Sequence, residues 1–147
     1  MSDHSKRIQS LAREAALLPQ EEVLQISARN QELVIGIPKE ESLQEKRVAL
    51  VPEAVALLVA RGHQVLIESG AGDQAHFQDS DYSESGAHIV YYRRQVFQTG
   101  MVIKVEPPTL EEVHLMGMRQ TIISALQWTV QPKGLLAALA AKKTTAI

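Results

Sequence analysis

From Leu33 to the end of the chain the spacing of apolar positions changes repeatedly. Short runs rich in β-branched residues alternate with stretches in which apolar residues recur three or four apart. Leu33–Ile37, closed by Pro38, predicts a strand. Pro52–Arg61 sets Val55, Leu58 and Val59 on one face and ends at Gly62, which predicts a helix with a glycine cap. A strand is predicted over Gln64–Glu68, a short helix over Asp79–Ser85 that Gly86 stops, and a strand over His88–Val90. Arg93–Gln98 predicts a helical turn, and Met101–Val105 a nearly all-apolar strand halted by Pro107-Pro108. Thr109 caps a predicted helix through Met116, with Glu111 and Glu112 in the first turn, where the helix dipole favours them. Thr121–Leu126 predicts a strand, Pro132–Lys143 a helix with Lys142 and Lys143 at its carboxyl end, and Thr144–Ile147 a last strand.

Strand and helix in alternation imply a parallel sheet covered by helices on both faces and joined by right-handed crossovers. Several strands lack in-out alternation, as expected when both faces are buried. The predicted fold is α/β: a Rossmann-like (flavodoxin-like), doubly wound, mostly parallel sheet over residues 33–147, with an N-terminal helical extension over residues 1–32. In that extension Ile8, Leu11, Ala15, Leu18 and Val23 recur at helical spacing, and Pro19 suggests a break. The reading is a helical hairpin packed outside the domain or on a partner chain.

Composition narrows the function. The chain has 147 residues and a net charge of −2, so no basic footprint for nucleic acid is present. No apolar run approaches the ~20 residues of a membrane span, and Leu135–Ala141 is far too short. The N-terminus does not read as a secretory signal. With no cysteine, a disulfide framework and a thiolate zinc site are excluded, which fits the cytoplasm. His63, His76, His88 and His114 are widely spaced and form no metal-ligand pair.

Three features carry candidate chemistry. Arg47 is a lone charge in an apolar segment closed by Pro52; it is either a surface charge or a strand-end fork for a carboxylate. Gly70-Ala71-Gly72-Asp73-Gln74-Ala75 has the spacing GxGxxA. It lacks the helix that should open at the glycines and the acid that should end the next strand. We therefore expect a tight loop with positive φ near a cleft and no nucleotide there. Lys104 ends the strand Met101–Val105, at the edge where open α/β sheets bind ligands; it either snorkels to water or meets an anion.

The run Ile35–Pro52, IGIPKEESLQEKRVALVP, resembles the opening of the alanine dehydrogenase and pyridine nucleotide transhydrogenase family: a strand, a Pro-Lys-Glu turn and an Arg-Val-Ala-Leu-x-Pro segment. ARGHQVLIESGAG (Ala60–Gly72), DYSESGAHIV (Asp81–Val90), MVIKVEPP (Met101–Pro108) and TTAI (Thr144–Ile147) extend the resemblance, in order, from about Leu33 to the last residue. It implies the first part of a substrate domain in a longer, two-domain oxidoreductase, cut before the nucleotide-binding domain as a fragment or natural truncation. It further implies NAD or NADP on the second domain and none on this stretch, and a small 2-oxo or amino acid substrate. A homo-oligomer is expected on separate grounds: missing return elements leave apolar surface and an open sheet edge, and Ile8, Leu11 and Leu18 offer a further stripe. The expected reaction is reversible oxidative deamination of L-alanine to pyruvate, or a relative of it. The alternatives are a transhydrogenase module passing hydride between NAD(H) and NADP(H), and an assembly domain without chemistry.

Residue by residue, Arg47 matches the family's carboxylate-holding arginine. The alanine dehydrogenases carry Lys-Val-Lys-Glu-Pro where this chain has Lys104-Val105-Glu106-Pro107, so Glu106 takes the place of the substrate-contacting second lysine. On a strand through Val105, Lys104 and Glu106 would face the same side. Gln127 stands where the family's catalytic histidine is expected and cannot exchange a proton near neutral pH. Both departures weaken alanine as substrate more than they weaken membership, because transhydrogenases also lack that lysine and histidine.

Overall fold

A sheet of six strands, all parallel, organises the chain in the order β3-β2-β1-β4-β5-β6. The strands are β1 (Val34–Ile37), β2 (Gln64–Glu68), β3 (His88–Val90), β4 (Met101–Ile103), β5 (Thr121–Ile123) and β6 (Thr145–Ala146). Between them lie α1 (Pro52–Ala60), α2 (Asp79–Glu84), α3 (Arg93–Phe97), α4 (Leu110–Leu115) and α5 (Leu135–Ala141). The computed structural model describes residues 32–42, 44–126 and 134–147. The expected N-terminal helices, Gln127 and the expected helix start at Pro132 lie outside the described residues.

Winding runs outward from β1 to β3, returns to β1's other side at β4, and runs outward again. This is the 3-2-1-4-5-6 order of doubly wound sheets; the five-stranded flavodoxin order 2-1-3-4-5 reverses between β1 and β3 instead. Right-handed crossovers then put α1 and α2 on one face and α3 to α5 on the other. Two buried clusters follow that division. Ile37, Val65 and Ile67 of β1 and β2 meet Val55 of α1 and Tyr82 of α2. Val102 and Ile122 of β4 and β5 meet Phe97, Val113, Leu135 and Leu139 of the other three helices.

Gly36 explains how α3 reaches the sheet. A Cβ there would collide with the Val96 carbonyl oxygen and lie 2.7 Å from Thr99 Oγ1. The carboxyl end of α3 therefore rests directly on the β1 backbone.

Expected and observed elements agree closely, with instructive shortfalls. β4 stops at Ile103 rather than Val105, and β5 at Ile123 rather than Leu126. Lys104 N–H still donates to Ile123 O at 3.0 Å, but the chain then bends at Val105 and Glu106, so strand alternation no longer relates Lys104 to Glu106. Thr109 and Glu112 form the reciprocal capping box of α4. Lys142 lies just beyond α5, and its ammonium donates to the last carbonyls of α4, those of His114 (3.1 Å) and Met116. It thus caps the neighbouring helix rather than its own.

Candidate functional site

In open α/β sheets the crevice lies outside the carboxyl ends of the strands, where the winding reverses. Here that point falls between β1 and β4. Ile35 is paired with Met101 and Gly36 with Val102, so counting on sets Pro38 beside Lys104. β1 ends at Ile37, and β4 gives way to a bend at Val105 and Glu106. The N–H groups of those two residues need an acceptor outside the strand ladder. Glu40 supplies one: its Oε1 accepts from Val105 N at 2.6 Å and its Oε2 from Glu106 N at 3.4 Å. The Pro-Lys-Glu turn is thus a stop followed by a side chain that satisfies the donors of the bend.

Lys104 does not reach water, and the anions it meets are the chain's own. Its side chain is 2 % exposed, as is that of Glu112. Its Nζ donates to Glu112 Oε1 and Oε2 at 3.0 and 2.8 Å and lies 3.6 Å from Glu40 Oε2. Glu112 also accepts from Thr109 N at 2.8 Å and from Arg93. Burial pushes the Glu112 carboxyl up, but Lys104, the Thr109 N–H and Arg93 outweigh it and hold the group below its ordinary value. Glu40 comes out the other way: burial raises it, and Val105 N–H, Lys104 and Glu106 N–H offset only part.

Arg93, on the first turn of α3, ties the surrounding loops together. It donates to the Lys39 carbonyl at 3.1 Å and pairs with Glu112, with Glu41 at 3.3 Å and with Glu68 at 3.8 Å. Its guanidinium carbon lies 5.7 Å from the Phe97 ring centre. Glu68 in turn accepts from Lys39 N at 2.8 Å. Sequence reasoning missed this network. Glu112 was visible only as a helix cap, in the Thr-x-x-Glu spacing, and nothing in the local pattern of Arg93 pointed to it.

Arg47 sits in the loop between β1 and α1, not at a strand end, and its side chain is 76 % exposed. It does hold a carboxylate in its fork, but that carboxylate is Glu45's: Nε to Oε1 at 2.8 Å and Nη2 to Oε2 at 2.7 Å. The pair lowers the Glu45 carboxyl to about 2. Glu106 and Glu40 add to the field that favours the Arg47 cation, so both carboxylates of the crevice lie within its electrostatic reach. Behind it Val48, Ala49 and Leu50 pack on the β1–β2 core, and the buried Tyr82 hydroxyl donates to the Leu50 carbonyl at 2.9 Å. That anchoring fixes where Arg47 emerges.

The glycine loop after β2 borders the same edge. Gly70 has φ +76°, as expected of a tight turn, whereas Gly72 is needed for space: a Cβ would lie 2.7 Å from Phe77 O and from Tyr82 Cε2. A single 3₁₀ turn, Asp73–Ala75, follows, and α2 opens only at Asp79. Asp79 turns its carboxylate back to Ser69 Oγ (2.6 Å) and Gly70 N (2.9 Å). The dinucleotide fingerprint requires its helix to start at the glycines. Among the described residues no group of three or more His, Asp or Glu side chains is placed to hold a metal, and no helix is long and apolar enough to cross a membrane.

Sheet order and parallel strands define a doubly wound α/β domain, with a buried cluster of charges where the winding reverses. The chain belongs to the alanine dehydrogenase/PNT N-terminal domain family, whose profile matches residues 36–147. Alanine dehydrogenase of Bacillus subtilis (strain 168) is 38 % identical over 115 residues, covering 78 % of this chain and 30 % of that protein. A solved L-alanine dehydrogenase superposes with a TM-score of 0.74 at 38 % identity, over 78 % of this chain and 32 % of its own. The transhydrogenase from Sinorhizobium meliloti superposes with a TM-score of 0.65 at 26 % identity, over 77 % of this chain and 33 % of its own. The chain thus spans about a third of the length of these relatives. The family read from the residues is confirmed.

Proposed function

We propose that this domain forms the substrate side of an NAD(P)-dependent oxidoreductase of the alanine dehydrogenase kind, working with a nucleotide-binding domain carried on the same or another chain. The nicotinamide nucleotide exchanges hydride with the substrate in the cleft between the two. Arg47, at the mouth of the β1–β4 crevice, leaves Glu45 to hold the carboxylate of a small 2-oxo or amino acid. The observation that carries this reading is the match of residues 36–147 to the family, with the Val48-Ala49-Leu50 segment behind Arg47 packed on the β1–β2 core and tied to Tyr82. Self-association belongs to the same reading: Leu136 on α5 is exposed, and the outer edge of β6 is unpaired among the described residues.

Two residues favour a second reading, hydride transfer between NAD(H) and NADP(H). Glu106 stands where a substrate-contacting lysine is expected, and Gln127, outside the described residues, where a catalytic histidine is. A chimera decides between them. The segment of Bacillus subtilis alanine dehydrogenase that aligns with this chain is replaced by this chain's own, and its activity is assayed. Alanine-dependent reduction of NAD, increased by Gln127→His, supports the dehydrogenase. A folded chimera that stays inactive with alanine, with and without Gln127→His, counts against the dehydrogenase and in favour of the second reading.

A further inference from the structure

Glu40 occupies a place built for a carboxylate. At the bend that follows β4, Val105 and Glu106 turn consecutive backbone N–H groups to Glu40, and the Lys104 ammonium lies 3.6 Å from the same carboxylate. Two backbone donors and one buried cation converging on a single carboxylate are the donor set that anion sites use. Yet the seat is uneven. The bond from Val105 N is short at 2.6 Å, but that from Glu106 N is 3.4 Å and the ammonium stands 3.6 Å away. Glu40 comes from a loop rather than from a strand or helix. Burial raises its carboxyl above the ordinary value despite those donors, so the charged form is held at a net cost.

We propose that the Val105 and Glu106 N–H groups and the Lys104 ammonium form a carboxylate-binding cradle whose resting occupant is the chain's own Glu40. A small monocarboxylate enters by displacing it. The cradle would give this crevice a cation-backed anion site although Glu106 has replaced the expected lysine. Only the choice of a 2-oxo acid as ligand rests on the function proposed above.

The test is an amide NMR titration of the 147-residue chain and of Glu40→Ala and Glu40→Gln, with pyruvate and with acetate, against sodium chloride at equal ionic strength. In Glu40→Ala the Val105 and Glu106 amides should shift saturably with both carboxylates, at concentrations about tenfold or more below those needed for the unaltered chain, the range expected when a charged competitor leaves. If Glu40→Ala loses its dispersed spectrum, Glu40→Gln decides, because its carbonyl still accepts from Val105 N while its charge is gone. Shifts with acetate but not with pyruvate keep the cradle and count against a 2-oxo acid here. Amides of a folded variant that ignore both carboxylates, that respond as in the unaltered chain, or that respond equally to chloride overturn it.

Discussion

Glu112 and Glu45 both end in an ion pair at the same edge of the sheet, under opposite conditions. Glu112 is buried with two cations and a backbone N–H around it. Glu45 reaches across one turn of loop to an exposed Arg47. A buried pair gives little net stability when intact, because desolvation opposes the attraction, but removing one partner leaves an uncompensated charge. In the second pair only Arg47 is exposed, at 76 %, against 10 % for the Glu45 side chain, so solvent screens the pair from the arginine's side. The Glu112 cluster is therefore suited to hold loops in place, and the Arg47 guanidinium is the member of its pair that a second carboxylate can reach.

The largest effect expected is at the buried pair. Glu112→Gln leaves the buried Lys104 ammonium with only Glu40, 3.6 Å away, and should cost about 3–5 kcal/mol in urea unfolding, with Lys104→Met in the same chain recovering part of it. A loss as small as that of a surface charge would mean that water reaches the pair.

Next comes Gly36→Ala. Its methyl would collide with the Val96 carbonyl, so α3 must lift from β1, at about 1–3 kcal/mol or more. Because α3 carries Arg93, amide exchange should also quicken around Lys39 and Glu41, which lie on the far side of the network.

Acid separates the two buried carboxylates. Glu112 sits below its unfolded value of 4.5, so its contribution is complete above pH 4.5 and is lost as pH falls from there through its folded pKa. Glu40 sits above 4.5; it takes up a proton in the folded state first, so stability rises as pH falls toward 4.5 and drops as pH climbs through its folded pKa. Urea midpoints of Glu40→Gln should lack that rise and, at neutral pH, be no lower than those of the parent. A clear loss at neutral pH would make the Glu40 charge a net stabiliser.

What the sequence revealed and what it hid divide along the same line. Alternating short apolar runs and helical periods are local signals, and β2 and β3 were bounded to the residue. The ends of β4 and β5 were overrun because a strand's end depends on its neighbour: β4 loses its partner when β1 stops at Pro38, more than sixty residues earlier. Arg47 was legible because an isolated charge in an apolar segment stands out. Arg93, Glu68 and Glu40 were not, since each is an ordinary surface-type residue in its own segment and becomes a site residue only when parallel pairing assembles the strand ends. Lys104 was noticed but its partner was not. The signal for Glu112 was the capping box, which explains its place on the helix and says nothing of the lysine eight residues before it.

The smallest effect on stability, and the most direct test, is at Arg47. Arg47→Lys keeps the charge and loses the fork. In the chimera with the Bacillus subtilis enzyme, we expect the apparent constant for pyruvate to rise about tenfold to a hundredfold, with the melting temperature unchanged. An unchanged constant with a lowered melting temperature would contradict the account, placing Arg47 among the residues that hold the fold and leaving the crevice without its carboxylate-binding arginine.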